Sequence, residues 1–170
     1  MTAFAVPAQT SLLDALGGEY LWWMTPDASV STSFSFVSLG KGTLDELTRK
    51  ISLQGDFITA SNATQVFYAD VANEILVAEA VAALEAEPAR IFSDDNKYEP
   101  WNSGVEVGFF FTEQDQAIPL ATQQSMASQF PSGYVSYTMN SSHSPFMSMP
   151  EQVTEGVVLA ATQGLAKKLL

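Results

Sequence analysis

Two short apolar runs, each followed by a polar loop and then by a helical pattern, constrain this chain more than any other feature. Val105 to Phe111 begins by alternating and ends apolar throughout, the pattern of a strand buried on both faces. A polar loop follows from Thr112 to Ala117, with Pro119 near the start of a helix that reads to about Phe130. Tyr134 to Met139 reads as a second short strand, and Asn140 to Ser144 as its polar loop. The last helix is expected to open at Pro150, where a missing N–H costs nothing, with Ser148 and Glu151 as a capping box. Val153, Val157, Ala160, Ala161 and Leu165 are expected inward, and Lys167 and Lys168 to favour its negative C-terminal end. Strand, loop, helix, strand, loop, helix implies an α/β fold with parallel strands and right-handed crossovers.

The rest of the chain is less regular. Ala3 to Pro7 is a short apolar run that reads as the tail of a strand or as no element at all. Residues 10–62 hold Gly17-Gly18, the aromatic cluster Tyr20-Leu21-Trp22-Trp23 and a polar and aromatic stretch from Ser31 to Leu39. Lys41-Gly42 suggests a turn, and Thr43 to Glu46 could open a short helix. From Thr64 to Glu87 the periodicity predicts one helix ended by Pro88. Its two apolar stripes, Phe67-Val71-Ile75-Ala78-Ala82 and Val66-Val77-Val81-Leu84, suggest a sandwiched position. No linker or repeat divides the chain, so residues 10–100 read as an insertion beside the sheet.

Composition narrows the chemistry. With 7 Lys+Arg against 19 Asp+Glu, the net charge of −12 opposes broad binding to nucleic acid or to an anionic membrane. Zero Cys removes thiolate catalysis and disulfides, and a single His leaves too few ligands for a usual catalytic zinc centre. No metal or cofactor is expected. Asp94-Asp95-Asn96 hints at a calcium loop, yet the glycine and the ligand spacing are wrong. The start has no basic residue before its apolar run, and no run approaches a transmembrane length, so a cytoplasmic location is the expectation.

In open α/β sheets functional groups gather at the carboxyl ends of strands. Asp115 lies four residues past Phe111, and His143 four residues past Met139. Neighbouring parallel strands would bring the two together as an acid that orients a base. The plain alternatives are a surface histidine and a solvated acidic turn at Glu113-Gln114-Asp115. Trp22-Trp23 could line a ligand pocket or pack within a small lid.

A resemblance adds to this reading. Phe111-Thr112-Glu113-Gln114-Asp115-Gln116-Ala117-Ile118-Pro119-Leu120, with Gln123 and Met126, resembles the acid-bearing segment of α/β-hydrolases of the esterase, methylesterase and hydroxynitrile lyase type. Ser142-His143-Ser144-Pro145-Phe146-Met147-Ser148-Met149-Pro150-Glu151 is similar to their histidine segment. Phe67-Tyr68-Ala69-Asp70 resembles the opening of a cap helix, Trp101 a residue before the acid strand, and Ala3 to Pro7 the strand end ahead of the cap. The resemblance implies the C-terminal half of that fold, a partial parallel sheet with flanking helices plus a helical cap. Residues 1–9 would then be a strand end leading into the cap, 10–100 the cap, and 101–170 the core portion with both loops. Asp115 would be the triad acid and His143 the general base.

The chain departs from the family at one point. It contains no G-x-S-x-G and no glycine-rich oxyanion segment. Ser141, Ser142 and Ser144 share the histidine's own loop and lack a strained strand-to-helix turn. The expectation is therefore a truncated hydrolase whose complete form cleaves small esters or related carbonyl compounds. A degenerate fold that binds a ligand or partner without turnover is the alternative. An uncovered apolar strand edge would invite association with another chain.

Overall fold

The structure, a computed structural model, describes residues 5–27, 32–34, 51–53 and 57–169. The first described helix, α1 (Leu12–Ala15), is held by a capping box in which the side chains of Ser11 and Asp14 each accept from the other's backbone N–H. Strands β1 (Met24–Asp27), β4 (Phe57–Ala60) and β5 (Glu87–Pro88) form an antiparallel sheet with β4 in the middle. β2 (Thr32–Phe34) and β3 (Ile51–Leu53) make a separate antiparallel pair. The sequence reading of 10–62 named none of these strands. The expected helix at 43–46 and most of the 31–39 stretch lie outside the described residues. Ala3 and Phe4 lie outside the described residues; residues 5–7 pair with no strand among those described, and Ala5 and Val6 pack into the core.

The single helix expected over 64–87 is two: α2 (Ala63–Tyr68) and α3 (Glu74–Ala82). The break has a local cause. The Asn73 side chain accepts from the N–H groups of Ile75 and Leu76, both 3.2 Å away, and so starts a new helix. Pro88 does not end α3, which stops six residues earlier. It lies on edge strand β5, where a missing N–H is tolerated. Nor is α3 sandwiched: Val77 is buried, whereas Ile75 on the other stripe is 73% exposed.

A short helix, α4 (Arg90–Ser93), and a helical turn at Pro100–Asn102 lead into the second half. There β6 (Gly108–Thr112) and β7 (Val135–Met139) run parallel, in register from Gly108↔Val135 to Thr112↔Met139, joined through α5 (Leu120–Ala127). This is the alternating α/β unit that the sequence implies. Phe109 is buried, but Phe110 and Phe111 are half-buried, because among the described residues β6 has a strand partner on one side only.

Two short-range expectations near the C-terminus are corrected. Ser148 forms no capping box, because it closes α6 (Pro145–Ser148), and Met149 is the residue that precedes α7 (Pro150–Lys168). Pro150 does occupy the first turn. On α7 it is Gly156 that is buried against the sheet, flanked by half-buried Val153 and Ala160, while Val157, Ala161 and Leu165 are exposed. A Cβ at Gly156 would stand 2.8 Å from Phe110 Cζ and 3.1 Å from Tyr137 Cδ1. The helix can therefore approach β6 and β7 only with glycine there. Lys167 spends its charge on Glu106 at 2.8 Å and also donates to the Gly133 carbonyl.

Both halves share one core, in which Met24, Val66, Trp101, Phe109, Ile118 and Met126 meet. No helix among the described residues is long and apolar enough to cross a membrane.

Candidate active site

The parallel register places the ends of β6 and β7 side by side, and the loops leaving them are zipped together. Glu113 N–H donates to the Met139 carbonyl at 2.9 Å, and Gln114 N–H to that of Ser141 at 3.0 Å. From this frame Asp115 and His143 turn toward one another. Nδ1 of His143 lies 3.0 Å from Asp115 Oδ2 and 3.1 Å from Oδ1. The two residues nominated from the sequence are thus brought into contact, across a separation of 28 positions.

Asp115 has no solvent-exposed side-chain surface. Burial of a carboxylate is tolerable only where donors replace its water. Here Ala117 N–H and Ile118 N–H donate to Oδ1 at 2.8 and 2.9 Å, and Thr112 Oγ1 donates to Oδ2 at 2.9 Å. A carboxylate can only accept, so facing an ionised Asp115 the Nδ1 would carry the proton of a neutral imidazole. That is the tautomer a general base requires.

Other side chains build this geometry. Gln123 is fully buried and knits the end of β6 to the acid loop: its Nε2 donates to the carbonyls of Thr112 (2.9 Å) and Ile118 (2.7 Å), and its Oε1 accepts from Thr112 N–H (2.9 Å). Phe67 of α2 packs on the imidazole with ring centroids 5.3 Å apart, and Trp23 meets Phe67 edge-on at 5.1 Å. The tryptophan pair divides, Trp23 buried and Trp22 60% exposed. Burial also pushes the neighbouring Tyr68 phenol above its ordinary range. Thr112 and Gln123 gained no role from spacing alone, although the threonine three residues ahead of an aspartate was a readable signal.

His143 borders two hollows. One, of about 780 Å³, runs along β6 between Val107, Phe109, Phe110, Phe130 and Val157. The other, of about 730 Å³, is walled by Trp23, Phe92, Tyr98 and Trp101. Ser141, Ser142 and Ser144 are all buried. Ser142 Oγ donates to Asp70, and Ser141 Oγ has no hydrogen-bond partner among the described residues. Among the described residues no three His, Asp or Glu side chains group as metal ligands, and in the suspected calcium loop Asp94 pairs with Arg90 while Asn96 donates to Val6 and Tyr98.

No family model and no curated protein sequence matches the chain. Solved structures do. Polyneuridine aldehyde esterase aligns over 79% of this chain and 49% of its own, with a TM-score of 0.54 and 10% identity. A pyrethroid hydrolase, PytH, aligns over 62% of this chain and 43% of its own, with a TM-score of 0.51 and 21% identity. Both are α/β-hydrolase folds, and the architecture here is part of that fold. The chain spans less than half the length of these structures.

Proposed function

We propose that this chain carries the acid and the general base of an α/β-hydrolase acting on small esters or related carbonyl compounds, with Asp115 orienting His143. The observation that carries the reading is the buried carboxylate held by three protein donors and facing Nδ1 at 3.0 Å. In the reaction class, His143 Nε2 would take the proton from an attacking hydroxyl and return it to the leaving alcohol. The imidazolium formed in between would be steadied by Asp115.

The hydroxyl is the missing part. No G-x-S-x-G occurs in the 170 residues, and the serines of the histidine loop are buried. We place the nucleophile on a strand outside this sequence, seated along the apolar hollow beside β6, which also makes that edge the expected surface of association. The aromatic-walled hollow on the other side of His143 would then receive the substrate.

The test uses the chain as it stands. Incubated with a short-chain aryl ester, it is expected to turn over no faster than free imidazole, and a serine-directed fluorophosphonate should label no residue. Labelling of a serine within the chain would overturn this division of labour. So would robust turnover that His143→Ala abolishes and every Ser→Ala tolerates. A second reading, a ligand-binding module without chemistry, is favoured by the aromatic hollow alone. It predicts a raised melting temperature with small aromatic esters and no hydrolysis even when a nucleophile-bearing strand is supplied.

A further inference from the structure

Asp115 fixes one nitrogen of the imidazole, but it does not fix the loop that carries the histidine. That loop, residues 140–144, has no regular structure. Its start is tied to the acid loop, where the Ser141 carbonyl accepts from Gln114 N–H, and a second anchor comes from the end of α2. Asp70, two residues past the end of that helix, accepts a hydrogen bond from Ser142 Oγ across 72 positions of sequence. The same hydroxyl faces the Phe67 carbonyl at 3.4 Å. One hydroxyl proton serves one acceptor well, and the carboxylate is the stronger. Ser142 is completely buried and covalently adjacent to His143. Phe67, three residues before Asp70, packs on the imidazole itself. Thus one short segment grips the histidine twice, by its ring and by its neighbour's side chain.

The arrangement is not one that stability alone would select. The second oxygen of Asp70, Oδ2, is buried with no hydrogen-bond partner among the described residues, a cost that an apolar pair of similar shape would avoid. We infer that Asp70 is a positioning residue for His143, acting through Ser142 to hold the loop where Nδ1 meets Asp115. The inference rests on the reading of Asp115 and His143 as an acid and base pair. It assigns to α2 a direct hold on the base, so that any displacement of this segment is transmitted to the imidazole.

The chain's single histidine makes the test clean. Imidazole ¹⁵N shifts are followed with rising pH and read on the alkaline plateau, where they no longer change. The parent chain should show two widely separated signals, with the protonated one assigned to Nδ1 through its couplings to the ring protons. In the double variant Asp70→Ala/Ser142→Ala, which removes both partners and leaves no carboxylate stranded, the two signals should converge as the ring samples both tautomers. A folded double variant that keeps the parent pattern overturns the inference. Should that variant lose its cooperative melt, Ser142→Ala is read against Asp70→Asn, which retains an acceptor oxygen. Convergence in the first and not the second supports the hold, and the same pattern in both overturns it. Asp115→Ala, which leaves Nδ1 neither a carboxylate nor an amide to face, separates the two claims. If it leaves the parent pattern unchanged, the acid and base pairing itself fails. If it alone alters the pattern, only the role of Asp70 fails.

Discussion

Trp23 donates from its indole Nε1 to the carbonyl of Ala117 at 3.0 Å, a buried bond that ties the start of β1 to the acid loop across 94 positions. The N–H of that same peptide unit, Ile118's, donates to Asp115, so the indole steadies the peptide that steadies the carboxylate. Trp23→Phe keeps most of the ring packing but strands a buried carbonyl. The expected loss is about 1–3 kcal/mol, read by urea denaturation. A variant of unchanged stability would show that the carbonyl finds another donor.

Gln123 makes the acid loop depend on α5. Gln123→Leu preserves volume while unpairing the Thr112 N–H and the carbonyls of Thr112 and Ile118. Each stranded group costs about 1–3 kcal/mol, so a loss of at least about 3 kcal/mol is expected. Urea denaturation reads the loss, and a change under about 1 kcal/mol would contradict the network.

Gly156 sets how closely α7 lies on the sheet. Gly156→Leu forces the side chain into Phe110 and Tyr137, and overpacking of this kind costs typically about 1–3 kcal/mol. Gly164→Leu on the same helix meets nothing within 4 Å and serves as the control. The comparison of melting temperatures decides it, and only the first should fall.

Acid pH should loosen the N-terminal segment. Glu99 accepts from Ala8 N–H at 2.7 Å and also from Asn102, and these bonds hold its carboxyl below the usual glutamate range. A carboxylate whose value is lowered by folding stabilises the fold above its unfolded value, and that contribution is lost as pH falls through the folded value. Glu99→Gln should therefore melt below the parent at neutral pH, and the two curves should approach one another as the pH drops under about 4. Parallel curves across that range would remove Glu99 from the acid response.

The parallel unit and the contact between Asp115 and His143 were legible because their signals are local. A strand ending in three phenylalanines, a polar loop and a periodic helix each declare themselves within ten residues. Once the strands are parallel, the positions of Asp115 and His143 follow from where the strands end. The helix at 64–87 was misjudged because apolar periodicity ran on through Ala69–Asn73, where an Asx side chain competes with the helix for backbone N–H groups. The inward face of α7 was misjudged for a different reason. Hydrophobicity marks Val157 and Leu165 as core, but the sheet beneath is so close that a glycine makes the contact. The bond from Asp70 to Ser142 could not be read at all, since nothing in either residue's neighbourhood points to a partner 72 positions away.

The crossover from β6 through α5 to β7 has a consequence for the order in which the molecule assembles. Bringing Asp115 to His143 closes a loop of 28 positions, while bringing Trp23 to Ala117 closes one of 94. By loop-closure entropy the shorter ring is favoured by about 1 kcal/mol. The pair of Asp115 and His143 can therefore meet before Trp23 closes over the acid loop, and a newborn chain would join its two β-strand ends before it raised the aromatic wall beside them.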